Sequence, residues 1–168
     1  MREVEFRRTA KGTHADGAHL PAVGAGPFPT VLDLHGGAWN GKDRKAEEPM
    51  DRALAASGVL VVAIDLTLAP EAPYPACVQD ANYGVRWLKA KAASWNGDPS
   101  KIGIYGSSSG GHVAELLGMR PRDPRYNAIP LARGAERRCD GGIHRHAVAD
   151  QQHVRALSRT RWTRSASR

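Results

Sequence analysis

A sharp turn between a predicted strand and a predicted helix constrains this fold most. The apolar residues 102–105 lead into Gly-Ser-Ser-Ser-Gly at 106–110, and a helix-compatible segment follows directly. On such a turn a serine is held in a strained conformation that projects its hydroxyl outward. Gly106 and Gly110 leave room for the backbone to cross closely. We therefore predict that Ser108 is a nucleophile; a serine- and glycine-rich loop without chemistry is the open alternative.

A second motif lies upstream, at the end of another predicted strand. The apolar pattern of residues 31–34 predicts a buried strand, which leads into His-Gly-Gly-Ala-Trp at 35–39. A glycine-rich turn after a strand can present backbone N–H groups to the oxyanion that develops in acyl transfer. This turn upstream of a Gly-x-Ser-x-Gly turn is a far rarer coincidence than either motif alone. Together the two motifs favour acyl-transfer chemistry.

These motifs resemble those of α/β-hydrolase esterases of the hormone-sensitive-lipase-like branch, whose mark is a His-Gly-Gly-x loop. The resemblance runs from about residue 27 to about residue 130. Further matches lie between the two motifs: Leu68-Ala69-Pro70-Glu71, Tyr74-Pro75-Ala76, Asp80 and Trp87. The resemblance implies a serine carboxylic-ester hydrolase acting on a small-molecule ester. A peptidase or amidase on the same fold is the alternative within enzymes, because the motifs specify acyl transfer and not the leaving group.

The resemblance also implies roles for individual residues. Ser108 would attack the ester carbonyl, and the N–H groups of Gly37, Ala38 and Ser109 would bind the oxyanion, helped by the N-terminus of the following helix. Four other residues of the two motifs are expected to support them: Gly36, Gly106, Gly110 and His35. The His35 side chain would brace its own loop. Trp39 is expected either to line the substrate pocket or to be a buried structural residue.

The order of predicted elements indicates an α/β fold. Strand patterns at 31–34, 59–64 and 102–105 alternate with helix patterns at 47–57 and 77–93. This alternation predicts a three-layer, doubly wound, mostly parallel sheet, the α/β-hydrolase architecture, of which the chain holds the N-terminal portion. Both motifs would then lie at the carboxyl ends of strands, where such sheets bind ligands.

Two stretches do not fit this pattern. We predict a partial α/β-hydrolase domain over 1–130 and an arginine-rich tail over 131–168 that is either disordered or translated out of frame. From residue 132 onward there are nine arginines, no lysine and three acidic residues, a composition that suits a misread GC-rich gene. Residues 11–23 show no period where the family would place a second strand, and they are a smaller candidate for the same fault.

The charge of the chain is concentrated in this tail. The net charge is +7, of which residues 132–168 carry +6 and the other 131 residues only +1. The alternative from another functional class is a non-catalytic relic, or a binding protein whose basic tail binds nucleic acid or acidic surfaces. The tail has no aromatic residue except Trp162 to stack on bases, so the sequence disfavours a nucleic-acid partner.

A serine nucleophile in this fold needs an acid and a histidine on later strand ends. The residues available after Ser108 lack a strand pattern that would position them: Asp140, His144, His146, Asp150 and His153. His112 is expected to face away from the turn and serve in packing. We therefore expect little or no esterase activity from the 168 residues, and poor solubility from an exposed apolar strand at 102–105.

The sequence predicts no cofactor, no metal and no membrane partner. Cys77 and Cys139 have no metal-ligand spacing, and Cys77 is expected to be a small core residue. The N-terminal residues lack an apolar signal region, and no apolar run reaches transmembrane length. We expect a cytoplasmic protein.

Overall fold

A computed structural model describes residues 1–8, 14–131 and 147–149 of the chain. In this part the chain forms one sheet with strand order β1-β2-β4-β3-β5-β6. The strands are β1 (Arg2–Arg8), β2 (His14–Leu20), β3 (Phe28–Leu34), β4 (Leu60–Ile64), β5 (Gly97–Gly106) and β6 (Ala147–Ala149). The helices are α1 (Glu48–Ala56), α2 (Ala76–Lys91) and α3 (Ser109–Met119), with a 3-10 turn at Ala92–Trp95.

The centre of the sheet is parallel, as the alternation of elements predicts. Strand β3 pairs in parallel with both β4 and β5, whereas β1 and β2 add an antiparallel edge. Leu34 lies opposite both Ile64 and Gly106, so the carboxyl ends of the three central strands meet at one edge of the sheet. The two sequence motifs begin at this edge.

Helices cover both faces of the sheet and make three layers. Val62 belongs to a core cluster with Leu88 of α2 and Leu117 of α3. Its neighbour Val61 packs instead with Ala55 of α1, because successive strand residues point to opposite faces. Burial on both faces explains why β4 is continuously apolar. The predicted architecture is confirmed.

The structure places a strand within residues 11–23, where the sequence shows no hydrophobic period. Strand β2 lies within this window and pairs with both β1 and β4. Gly17 leaves little room for a side chain, because a Cβ there would lie 3.3 Å from Val4 Cγ2 and 3.4 Å from the Ala63 carbonyl oxygen. A small residue at this position therefore lets the strand lie between its neighbours. The strand forms because it pairs with β1 and β4, not because its sequence has a hydrophobic period.

The structure also places one short strand inside the predicted tail. Ala147–Ala149 pairs in parallel with Ile104, Tyr105 and Gly106 of β5. This part of the β5 edge is therefore paired, where the sequence predicted an open edge. The rest of the predicted tail lies outside the described residues. Among the described helices, none is long and apolar enough to cross a bilayer.

Candidate active site

Ser108 occupies the tight turn between β5 and α3. Its backbone angles are φ 50° and ψ −118°, a region that residues with a Cβ rarely adopt, and its side chain is exposed. The glycines on either side permit this turn. A Cβ at Gly106 would lie 2.5 Å from the Gly110 carbonyl carbon, and one at Gly110 would lie 1.9 Å from the Leu34 carbonyl oxygen. No other residue type fits these two positions without moving the backbone.

The glycine loop, residues 35–42, leaves the end of β3 beside this turn. Gly37, Ala38, Trp39 and Lys42 all have positive φ angles, of 111°, 52°, 62° and 66°. Inside the loop, the N–H groups at 40 and 41 both donate to the Gly37 carbonyl, at 3.1 Å. The loop therefore doubles back on itself immediately after the strand.

The glycine loop and the serine turn are in contact. A Cβ at Gly36 would lie 3.4 Å from Ser108 Cβ and 3.2 Å from the Ser107 carbonyl oxygen. Among the described residues, the N–H groups of Gly37, Ala38 and Ser109 donate to no protein acceptor. The structure thus brings the predicted nucleophile and the two motifs that carry the predicted oxyanion donors together at one edge of the sheet.

His35 ties the start of the glycine loop to the strand beside it. The ring is buried, its Nδ1 lies 2.7 Å from the Gly36 carbonyl oxygen, and its Nε2 accepts the Leu66 N–H at 3.2 Å. These two contacts are satisfied together by the neutral ring with its proton on Nδ1. A bracing position is what the family resemblance implied for His35.

A mainly apolar cavity of about 680 Å³ opens beside the glycine loop. Its walls come from that loop, the segment after β4, α2 and α3: Ala38, Trp39, Asn40, Thr67, Ala69, Pro70, Ala72, Tyr74, Cys77, Val78, His112, Val113 and Leu116. Trp39 lines the cavity and is 44% exposed, so the alternative of a buried structural tryptophan does not hold.

The prediction that His112 faces away from the turn is wrong. Its ring packs edge-to-face on Trp39, with 5.7 Å between ring centroids, and it lines the same cavity. Residues four apart share a helix face, and the His112 N–H donates to the Ser108 carbonyl at 3.2 Å. The i, i+4 spacing in the sequence was the signal that could have placed it there.

Within the described part of the chain, no side chain is hydrogen-bonded to Ser108 Oγ, so no base is paired with the serine there. His35 uses both ring nitrogens, His112 packs on Trp39, and His19 stacks on Trp95 with 4.8 Å between ring centroids. The acids and histidines considered after residue 131 lie outside the described residues.

In the described part no group of three or more His, Cys, Asp or Glu is arranged to hold a metal ion. Cys77 is half-buried at the cavity wall, where burial raises the pKa of its thiol.

Two buried carboxyl groups lie away from the cavity. Asp33 on β3 and Asp51 on α1 are fully buried, and no hydrogen bond within the described structure reaches their side-chain oxygens. Burial, with a contribution from Asp51 and Glu47, raises the pKa of Asp33 to about 8. Burial, with contributions from Glu47 and Glu48, raises the pKa of Asp51 to about 7. In the folded chain the neutral form is therefore favoured below about pH 8 for Asp33 and below about pH 7 for Asp51.

Comparison with known proteins decides the family. The BD-FAE family model matches residues 18–156, which is most of the chain. The chain belongs to the BD-FAE family. The esterase resemblance of the two motifs is thereby confirmed at the level of family and fold.

Two relatives of the chain are named as ester hydrolases. Carboxylesterase NlhH of Mycobacterium tuberculosis is 38% identical over 106 residues, which cover 62% of this chain and 33% of that protein. The probable carboxylic ester hydrolase LipM of the same organism is 29% identical over 150 residues, covering 88% of this chain and 34% of LipM. The chain therefore spans about a third of the length of these relatives.

Solved structures show the same fold. A bacterial heroin esterase is 28% identical with a TM-score of 0.65, over 73% of this chain and 39% of that one. Esterase 2 of Thermogutta terrifontis, with butyrate bound, is 22% identical with a TM-score of 0.61, over 67% of this chain and 42% of that one. The described sheet and helices are thus the N-terminal portion of an α/β-hydrolase fold.

Proposed function

We propose that this chain carries the nucleophile and the oxyanion site of a serine carboxylic-ester hydrolase. The observation that carries the proposal is the contact between Ser108, on its strained turn, and the glycine loop at Gly36. The names of the relatives support ester rather than amide hydrolysis.

In the proposed reaction, Ser108 Oγ attacks the ester carbonyl carbon and a base takes its proton. The carbonyl oxygen becomes an oxyanion, which accepts hydrogen bonds from the N–H groups of Gly37, Ala38 and Ser109. When the tetrahedral intermediate collapses, the alcohol leaves with a proton and the acyl group stays on Oγ. Water then releases the acid by the same steps. Removing one such donor typically costs about 3–4 kcal/mol of transition-state stabilisation.

The cavity is the proposed site for the apolar part of the ester. It begins at Ala38, beside a proposed oxyanion donor, and Trp39 and Leu116 contribute apolar wall. A volume of about 680 Å³ suits a small or medium group. Burying apolar surface against these side chains would supply binding energy of roughly 25 cal/mol per Å².

The base and acid of the proposed triad come from outside the described residues. Without a positioned base the Ser108 hydroxyl is a weak nucleophile, because no neighbouring group takes its proton as it attacks. We therefore expect the 168-residue chain to hydrolyse an activated ester weakly.

The test is hydrolysis of p-nitrophenyl butyrate by the purified 168-residue chain. Ser108→Ala should lower the rate to that of buffer with unrelated protein, because the acyl-enzyme can no longer form. Ser107→Ala, at the half-buried neighbouring position, is the matched control and should keep the parent rate. Equal rates for Ser108→Ala and the parent chain would refute the proposal.

A further inference from the structure

The glycine loop needs support from outside itself. Three of its residues with side chains, Ala38, Trp39 and Lys42, lie in the left-handed region, and Gly37 also has a positive φ. Such conformations persist where the surrounding structure holds them. The two internal hydrogen bonds both end on the Gly37 carbonyl, so they do not fix the loop relative to the sheet.

The segment after β4, residues 65–69, makes the contacts that fix the loop relative to the sheet. At the start of the loop, the Leu66 N–H donates to His35 Nε2 at 3.2 Å. At its middle, the Ala69 N–H donates to the Trp39 carbonyl at 2.6 Å. Both contacts come from the segment that follows β4, two and five residues beyond the last residue of that strand, which pairs with β3.

The end of the loop is held by an ion pair with the same segment. Arg44, two residues beyond the loop, donates its backbone N–H to Asp65 Oδ1 at 2.9 Å and its Nη1 to Asp65 Oδ2 at 2.8 Å. Arg44 Nε also donates to Glu3 Oε2 at 2.9 Å, and Nη2 lies 3.8 Å from Asp16 Oδ2. The Arg44 side chain is only 14% exposed. A guanidinium has several donors in a fixed geometry, so it fixes both the position and the orientation of the groups that it contacts.

The charge on Arg44 is maintained. Burial alone would lower the pKa of its guanidinium, but the hydrogen bond to Glu3 and the charges of Asp65, Glu3 and Asp16 raise it. A guanidinium is protonated at any ordinary pH, so Arg44 carries its charge throughout that range.

We infer that Arg44 and Asp65 are positioning residues, which hold the glycine loop so that the Gly37 and Ala38 N–H groups face Ser108. The catalytic part of this inference rests on the proposed function. Breaking the ion pair would loosen one end of the loop, which would keep only the hydrogen bond from the Arg44 backbone N–H to Asp65, while His35 and Trp39 keep their own contacts. A displacement of about 1 Å at catalytic groups can lower a rate by roughly 10²-fold.

The experiment compares Arg44→Met, Arg44→Lys and Asp65→Asn with the parent chain. Arg52→Met is the matched control, because Arg52 makes an exposed ion pair with Glu48 on α1, away from the loop. Two quantities are measured: kcat and KM for p-nitrophenyl butyrate, and hydrogen exchange of backbone amides in residues 36–41 and in α3. Circular dichroism first establishes that each variant is folded, and Asp65→Asn carries the test if Arg44→Met does not fold.

We expect Arg44→Met to lower kcat by roughly 10- to 100-fold. Its KM should change by less than about threefold, because the cavity is intact. Arg44→Lys should recover part of the loss through its charge, and Asp65→Asn should be intermediate because its amide oxygen can still accept. Amides of residues 36–41 should exchange faster in Arg44→Met, and those of α3 should not. Arg52→Met should match the parent in all measurements.

The outcomes separate this inference from the proposed function. Loss of activity in Ser108→Ala with an unchanged kcat in Arg44→Met would overturn the inference and leave the function standing. If the parent chain is no more active than Ser108→Ala, the proposed function fails for this chain and hydrogen exchange decides the inference. Faster exchange confined to residues 36–41 would then support the positioning role, and unchanged exchange would overturn it.

Discussion

At the scale of single residues, this site depends on backbone shape more than on side-chain chemistry. Ser108 is the one predicted reactive side chain. Its neighbours matter because of the space they leave: Gly110 lies so close to the Leu34 carbonyl that no side chain fits there. A residue with a Cβ in the left-handed region costs roughly 1–2 kcal/mol, and the site contains several. Substitutions that add only a methyl group therefore test the geometry directly.

Gly37→Ala and Gly41→Ala form such a test within one loop. A Cβ at Gly37 would lie 2.1 Å from the Gly41 carbonyl oxygen, and Gly37 has a φ of 111°. A Cβ at Gly41 would meet nothing closer than 3.9 Å. We expect Gly37→Ala to lower kcat for p-nitrophenyl butyrate by roughly 10²-fold or more, as the loss of an oxyanion donor does. Gly41→Ala should stay within about twofold of the parent; equal effects of the two changes would contradict the loop geometry.

The buried carboxyl of Asp33 predicts a particular dependence of stability on pH. Its pKa is about 8 in the folded chain, against an ordinary value near 4. Between these values the folded chain holds a proton that the unfolded chain has released, so the free energy of unfolding falls as pH rises and levels off above pH 8. Each such group contributes a limiting slope of about 1.4 kcal/mol per pH unit.

Asp33→Asn removes this titration while keeping the shape of the neutral acid. Urea unfolding at pH 5.5, 7 and 8.5 should show a shallower decline for Asp33→Asn than for the parent chain, and greater relative stability at pH 8.5. Asp51, with a pKa of about 7, should account for part of the remaining decline, which ends at lower pH. Parallel curves for the variant and the parent would show that Asp33 does not titrate in this range.

At the scale of elements, the sequence predicts what is local or periodic. The buried strands β3 and β4 and the strand–turn–helix around Ser108 all follow from hydrophobic pattern and turn chemistry. Strand β2 does not, because its pairing partners on both sides define it. The pairing of Arg44 with Asp65 also cannot be predicted from the sequence, because two charges 21 residues apart give no periodic pattern.

The segment after α3 is tied to the loop before α2 by two tyrosines. The hydroxyls of Tyr74 and Tyr126 are 2.8 Å apart, and their rings meet edge-to-face. Tyr74 is 53% exposed and Tyr126 only 1%. Removing either hydroxyl breaks this hydrogen bond, but the loss of stability should differ. Removal of the Tyr126 hydroxyl leaves the exposed Tyr74 hydroxyl, whereas removal of the Tyr74 hydroxyl leaves the buried Tyr126 hydroxyl.

We expect Tyr74→Phe to destabilise the fold more than Tyr126→Phe. Tyr74→Phe leaves the Tyr126 hydroxyl buried without this partner, which typically costs about 1–3 kcal/mol. Tyr126→Phe leaves the Tyr74 hydroxyl open to water and should cost about 0.5–1.5 kcal/mol. Midpoints of urea unfolding measure both values. The reverse order would mean that the Tyr126 hydroxyl finds another partner.

At the scale of the whole molecule, the chain contains the β5–α3 turn and the glycine loop of the proposed site. It spans about a third of the length of its named relatives. We propose that the acid and the histidine lie in sequence downstream of the described domain. We further propose that the arginine-rich residues from 132 onward are read out of frame, because they contain nine arginines and no lysine.

Resequencing the coding DNA from the codon for Asn127 to well past that for Arg168 tests the frame. We expect another frame to stay open and to encode further strand patterns, an acid and a histidine near its end. A protein expressed from that frame should hydrolyse p-nitrophenyl butyrate roughly 10³-fold or more faster than the 168-residue chain, because the base is restored. Confirmation of the present frame would refute the proposal that the residues from 132 onward are read out of frame.

Covalent trapping of the nucleophile tests the central claim most directly. The 168-residue chain is incubated for a long period with an excess of a p-nitrophenyl phosphonate ester, which transfers its phosphonyl group to a nucleophilic serine oxygen, slowly where no base assists, and releases p-nitrophenol. Mass spectrometry of the digested protein then locates the adduct among three consecutive serines, at 107, 108 and 109. We expect a single adduct on Ser108 and none in Ser108→Ala. An adduct on Ser107 or Ser109, or labelling that survives Ser108→Ala, would contradict the claim that this turn presents the nucleophile of an ester hydrolase.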